Sequence, residues 1–216
     1  MIDLHIHSVF SDGELIPAEI IRRAEAIGYK ALAITDHGDQ SNIDLIIPRI
    51  VKVCRAIQPY TKVFLLPGIE LTHVPPESIP ELSKEARKLG AKIVVVHGET
   101  LVEPVKEGTN AIAVQSDIDI LAHPGLITEE EVKEASQRGI YLEITARKGH
   151  SLSNGHVAKL ALKYSAKLAI NTDTHSPGDL ISNEFACKIL KGAGLTDAEV
   201  SQVFKNMEEI VRRKTS

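Results

Sequence analysis

Short β-branched or apolar runs alternate with longer amphipathic stretches from one end of the chain to the other, as expected of repeated strand–helix units around a parallel sheet. Seven runs have strand length: Asp3–Ile6, Ala31–Thr35, Val63–Leu66, Lys92–Val96, Asp119–Ala122, Tyr141–Ile144 and Leu168–Asn171. Helix punctuation falls between them. The stretches from Ser78 to Glu81, Thr128 to Glu131 and Thr196 to Glu199 match the capping box, in which a hydroxyl and a carboxylate satisfy orphan amides at a helix start. Gly28, Gly90 and Gly139 mark the corresponding stops. Near the carboxyl end Val200, Val203, Phe204, Met207, Ile210 and Val211 recur at helical spacing and predict a last helix with one apolar face, a surface for core or lid packing. No Gly/Ser-rich linker, repeat or low-complexity tract divides the chain, so residues 1–216 are expected to form one α/β domain. Seven parallel strands in one domain close most simply into a barrel or near-barrel.

Composition restricts function more than fold. Lys and Arg number 25 against 29 Asp and Glu, a net charge of −4 that excludes a generic DNA-coating protein, while 43% hydrophobic residues suffice for a sizeable core. Cys54 and Cys187 stand far apart in apolar helix-like stretches and read as small buried hydrophobes rather than a disulfide framework. The amino terminus carries charge at once, and no stretch approaches the roughly 18 apolar residues of a spanning helix. No membrane association is expected, and the cytosol is the expected compartment. The unusual feature is nine histidines in a chain without tryptophan, since imidazole is the commonest metal ligand.

Those histidines fall, with several carboxylates, at the carboxyl ends of the predicted strands or in the loops just after them, where βα barrels assemble their sites. His5 and His7 follow the first strand, with Asp12 in a turn downstream; His37 ends the second, and Glu70 lies in the loop after the third. His97 closes the fourth, His123 the fifth, and Asp173 and His175 the seventh. Alternate strand residues share a face, so His5 and His7 can reach one ion, as can Asp173 and His175. Taken singly, each histidine reads as a core or capping residue and Asp12 as a turn former. Jointly they predict metal binding, because so many polar groups at one rim would otherwise crowd without partners. The sixth strand differs: Glu143-Ile-Thr-Ala-Arg147-Lys148 brings cations where its neighbours bring ligands.

The segments His5-Ile-His7-Ser-Val-Phe-Ser-Asp12-Gly, Thr35-Asp36-His37, Gly68-Ile-Glu70, His97, His123-Pro-Gly and Asp173-Thr-His175, in this order across nearly the whole chain, resemble the PHP family, named for polymerase and histidinol phosphatase. The resemblance implies a distorted seven-stranded, TIM-like (β/α)7 barrel with two or three divalent ions that hydrolyses phosphate esters. It implies one metal on His5, His7, Glu70 and Asp173 and a second on Glu70, His97 and His123, bridged by Glu70. A third would sit on Asp12, His37 and His175, a place where many relatives carry histidine near Asp12. Mixed imidazole and carboxylate ligands suit Zn, Mn or Fe.

With three divalent ions against Asp12, Glu70 and Asp173, such a pocket would carry about +3 and attract a small dianionic phosphate, Glu70 and Asp173 being essential to catalysis. Arg147 is a candidate for gripping two phosphate oxygens, Lys148 a weaker one because adjacent residues face apart, and the alternative for both is a solvated loop. His150 could protonate the leaving oxygen. Asp36 could orient a ligand imidazole or face away, and His73 and His156 read as structural. The main rival is a phosphodiesterase or nuclease, associated with family members fused to DNA polymerases. A further alternative is a non-catalytic RNA-binding scaffold, as in the related archaeal RNase P subunit. Nucleic acid is the less favoured partner, since aromatics are 4% of the chain and no long basic run is present.

Overall fold

The structure, a computed structural model, describes residues 1–215. Strands β1 (Ile2–Asp3), β2 (Ala31–Ile34), β4 (Phe64–Leu71), β5 (Ile93–His97), β6 (Ile120–Ala122), β7 (Tyr141–Thr145) and β8 (Leu168–Asn171) pair in parallel, each with the next, around a nearly closed barrel. A two-residue strand β3 (His37–Gly38) continues the line of β2 along β4. Helices α1 (Pro17–Ala26), α2 (Ile43–Ile57), α3 (Ile79–Leu89), α4 (Thr109–Ala113), α5 (Glu129–Arg138), α6 (Asn154–Lys163), α7 (Asn183–Gly192) and α8 (Asp197–Thr215) complete the layer outside. Because the sheet is covered, strands such as β2, β5 and β8 are buried along their whole length, which is why they read as continuous apolar runs. The helices turn inward the residues their periodicity selects, for example Ile43, Ile46, Ile47, Ile50 and Cys54 of α2. Cys187 is only half-buried. None of the described helices is long and apolar enough to cross a membrane.

Two local readings are corrected. The third strand runs on through Pro67 and Gly68 to Leu71, so Glu70 stands inside a strand rather than in a loop. A side chain at Gly68 would meet Thr35 Cγ2 at 2.6 Å and the Ile93 carbonyl at 2.9 Å, so glycine is what lets β4 pass between its neighbours. Ser78 is no helix cap: a preceding 3₁₀ turn leads straight into α3, and the Ser78 hydroxyl donates to the Pro75 carbonyl instead. The capping boxes at Thr128 and Thr196 do form, and Gly28, Gly90 and Gly139 have the left-handed backbone of helix stops.

Closure between β8 and β1 uses few ladder bonds. Beyond the bridge of Ile6 with Thr174, side chains stitch the seam: the Leu4 amide donates to Asn171 Oδ1 at 2.8 Å, and Thr172 donates to both Asp3 oxygens, from its amide at 3.2 Å and its hydroxyl at 2.5 Å. Asp3 is fully buried, and burial pushes its carboxyl up to about 6 against the Thr172 hydrogen bonds. Outside, α8 lies over both strands with Val200, Val203, Met207 and Ile210 buried beneath it, so the apolar stripe predicted for the last helix covers the seam. Asn171 also donates from Nδ2 to Glu143 Oε2 at 2.9 Å, which ties the seam to the interior of the barrel. Asn171→Ala would leave the Leu4 amide and one Glu143 contact unpaired, at roughly 1–3 kcal/mol for each buried group. Urea unfolding should therefore show a loss of about 2–6 kcal/mol.

Candidate metal centre

Each ligand candidate reaches the same rim. His5 and His7 follow β1, His37 begins β3, Glu70 lies in β4, His97 ends β5, His123 follows β6, and Asp173 and His175 follow β8. The register of β3 on β4 sets His37 beside Glu70, with His37 Nδ1 2.8 Å from Glu70 Oε2. His123 and Asp173 have positive φ values of 26° and 54°, a backbone that is uncommon outside glycine and that Asp and His adopt more often than most residues.

The four residues expected around the first ion converge in full burial. His5 Nε2 lies 3.2 Å from Glu70 Oε1 and 3.7 Å from Asp173 Oδ1, and His7 Nε2 lies 3.2 Å from Asp173 Oδ1 and 3.6 Å from Glu70 Oε2. Asp12, His37 and His175 also come together, with Asp12 Oδ1 3.4 Å from His37 Nε2 and 3.2 Å from His175 Nε2, and His7 joins that group. This third cluster is the open one, the Asp12 side chain being 57% exposed. For the second cluster, His123 Nε2 lies 3.7 Å from Glu70 Oε1, and the groups within reach of one ion are His97 with His123 and His150, His5 with His123 and Asp173, and His73 with His97 and Glu103.

The hydrogen bonds decide which nitrogens face inward. His5 Nδ1 bonds Glu143 Oε2 at 2.9 Å, His97 Nδ1 the Gly98 carbonyl at 3.1 Å, and His175 Nδ1 the Asp173 carbonyl at 2.9 Å. Carbonyl and carboxylate oxygens only accept, so each Nδ1 carries a proton, and where such a ring is neutral its Nε2 lone pair is directed at a carboxylate. Lone pair against carboxylate is repulsive unless a positive charge lies between them. Accordingly His5 Nε2, both His7 nitrogens, Glu70 Oε1 and His123 Nδ1 are buried with no hydrogen-bond partner.

Protons alone resolve this poorly. Burial opposes charge on His5, yet Glu70, Glu143 and Asp173 together hold its pKa well above the usual imidazole range. For His7, burial and then the neighbouring His37 drive it well below that range. Burial, reinforced by Glu70 and Glu143 against the opposing pull of His5, pushes Asp173 up to about 7, whereas Glu70, despite its burial, is held far down by His5 and His37. Touching groups are thus driven in opposite directions, and a mixed imidazole–carboxylate donor set of this kind fits divalent transition-metal ions.

Other expectations fare differently. Asp36 faces away from the cluster, accepting from the Ser8 amide and hydroxyl and from Ser11 Oγ. His156 is structural, its Nε2 donating to the Ile127 carbonyl at 2.8 Å. His73 is exposed but not idle: its Nε2 sits 3.1 Å from Glu103 Oε2. Arg147 reaches the rim, with Nη1 3.4 Å from the Asp173 carbonyl and 3.6 Å from Asp179 Oδ2; Lys148 is exposed, and both line a cavity of about 340 Å³ with Thr172, Asp179, Ile181 and Phe185. His150 is buried, its Nδ1 2.6 Å from Thr100 Oγ1 and its Nε2 3.3 Å from Glu103 Oε1.

Two carboxylates were missed. Glu143 of β7 is fully buried against His5, so the sixth strand brings an acid inward as well as cations to the rim. Its signal was a lone carboxylate between Leu142 and Ile144 in an apolar strand. Glu103, in the loop after β5, contacts His73, His97 and His150 and had no local signal. Counting both, three divalent ions would leave the pocket about +1 rather than +3.

A parallel barrel that gathers histidines and carboxylates at its carboxyl-terminal rim defines the class, and comparison supplies the family: the PHP domain profile matches residues 3–105. The chain belongs to the PHP family. It is 49% identical to an uncharacterised protein of Methanocaldococcus jannaschii, over 98% of each chain. A Thermoanaerobacter protein named as a probable phosphatase is 26% identical, over 91% of this chain and 88% of its own. Among solved structures, a chain of an archaeal ribonuclease P with mature tRNA matches with a TM-score of 0.75 at 17% identity, over 99% of this chain and 91% of that one. The histidinol phosphate phosphatase of Lactococcus lactis, complexed with zinc, L-histidinol and phosphate, matches at 0.60 and 16%, over 90% and 94%.

Glu143→Gln keeps the shape but removes the charge behind His5. Calorimetric titration with Zn²⁺ should show affinity reduced about 10–100-fold, with the circular dichroism spectrum unchanged.

Proposed function

We propose that the protein is a metal-dependent phosphoesterase acting on a small phosphomonoester. The observation that carries this reading is the buried set of ligand atoms facing one another without partners. His5, His7, Glu70 and Asp173 would hold one ion, His97 and His123 with Glu70 a second, and Asp12, His37 and His175 a third. Such ions supply an acidified water at neutral pH and neutralise phosphoryl oxygens during displacement. The phosphatase-named relative and the fold shared with a zinc-containing histidinol phosphate phosphatase support the same chemistry.

The chain's own residues set the terms of binding. Glu143 fixes the His5 tautomer so that Nε2 faces inward, and Glu70, touching both His5 and His37, sits where it can serve more than one ion. Arg147 stands between Asp173 and the adjoining cavity, where its guanidinium can exchange the Asp179 carboxylate for two phosphate oxygens. Lys148, on the exposed side of that cavity, adds charge without a fixed contact. The cavity accommodates the non-phosphate part of a small substrate.

RNA binding is a second reading, favoured by the likeness over 99% of the chain to a ribonuclease P subunit. Against it stand the net charge of −4 and the complete ligand set, which a scaffold does not require.

Assay of a phosphomonoester panel, with histidinol phosphate, mononucleotides and a short oligonucleotide, should give monoester turnover that chelator abolishes and divalent ions restore. Glu70→Ala and Asp173→Ala should lose it by at least about a thousandfold, a transition-state penalty near 4 kcal/mol. Arg147→Ala should raise KM more than it lowers kcat, and Lys148→Ala should retain most activity. Preferred cleavage of the oligonucleotide would establish a nuclease, and salt-dependent tRNA binding by a metal-free, inactive protein would establish the scaffold.

A further inference from the structure

The second ligand cluster contains more than the family pattern assigns to it. His97, His123 and His150 each place one ring nitrogen within 4.8 Å of the others, and all three rings are buried. His123 and His150 stack with centroids 4.2 Å apart at 19°, and His97 stands edge-on to both, at 4.4 Å and 5.8 Å. Their outer nitrogens are accounted for on two rings: His97 Nδ1 bonds the Gly98 carbonyl, and His150 Nδ1 meets Thr100 Oγ1. Glu103 faces the two remaining inner atoms, Oε2 at 3.1 Å from His97 Nε2 and Oε1 at 3.3 Å from His150 Nε2. His123 Nδ1, buried alongside, has no partner.

The three imidazoles group within reach of one ion, Glu103 reaches two of them, and these are donor types that a zinc-type ion takes. We propose that His150 and Glu103 join His97, His123 and Glu70 as ligands of the second ion; this assignment rests on the metal-dependent reading above. The carboxylate comes from a loop whose side chain is 37% exposed, unlike the fully buried Glu70. The second ion would therefore exchange more readily than the first. His73 touches the same carboxylate from the solvent side at 3.1 Å and groups with His97 and Glu103 as well; the assignment places it behind Glu103 rather than in the shell.

The test loads the metal-free full chain with Co²⁺ and follows ligand-field absorption and bound-metal stoichiometry in His150→Ala, Glu103→Gln and His73→Ala. The expected result is that His150→Ala and Glu103→Gln each weaken one equivalent of Co²⁺ by about 100-fold or more, exceeding the loss usual for residues behind a ligand, and alter its absorption band. The remaining equivalents and His73→Ala should behave as the parent. Glu103→Gln conserves shape on a half-exposed loop, so it reports even where His150→Ala disturbs folding. Unchanged stoichiometry, affinity and spectrum in Glu103→Gln and in a folded His150→Ala would overturn the assignment, as would a His73→Ala loss equal to theirs, which would place the ion outside the barrel. A parent that binds no Co²⁺ would instead remove the metal reading itself, and this assignment with it.

Discussion

Lone pairs and carboxylates that face one another inside a barrel, out of reach of water, are the constraint on which the rest of this molecule turns. Each Nδ1 of His5, His97 and His175 is already committed to an acceptor, so in the neutral ring the opposite nitrogen has no proton to offer the carboxylate in front of it. Burying such groups costs free energy unless a cation lies among them. The fold tolerates the arrangement because strands fixed on both sides deliver these side chains from different elements, with positive φ at His123 and Asp173.

The same requirement explains the polar seam. Most of the barrel is joined by continuous ladders, but β8 meets β1 through Asp3, Asn171 and Thr172, and Asn171 continues to Glu143 and thence to His5. Closing the barrel and aiming the first ligand are therefore one hydrogen-bonded network. The last helix shields it from outside, which gives α8 a function beyond filling the core. Changes at the seam should reach the metal centre without touching a ligand.

The fold and the convergence of the candidate ligands were legible because both leave local marks. A parallel strand is a short apolar run, and a ligand at its end stands in a recognisable motif, as in His5-Ile-His7 or Asp173-Thr-His175. Glu143 carried a mark, an acid in an apolar strand, that the neighbouring Arg147 and Lys148 obscured. Glu103 carried none, since only the path of the loop after β5 brings it to His97 and His150. Asp3 and Asn171 meet partners nearly the length of the chain away, which no local pattern encodes. Ser78 shows the converse error: the capping-box residues were present, but a 3₁₀ turn ahead of α3 had already satisfied the helix start.

The central claim is that cations, rather than protons, neutralise this cluster. Anomalous diffraction from crystals grown with Zn²⁺ or Mn²⁺, recorded on either side of the metal absorption edge, tests it most directly. The account predicts edge-dependent peaks among His5, His7, Glu70 and Asp173 and beside His97 and His123, with ring nitrogens turned toward them. Absence of any peak, with the imidazoles hydrogen-bonded directly to Glu70 and Asp173, would contradict it.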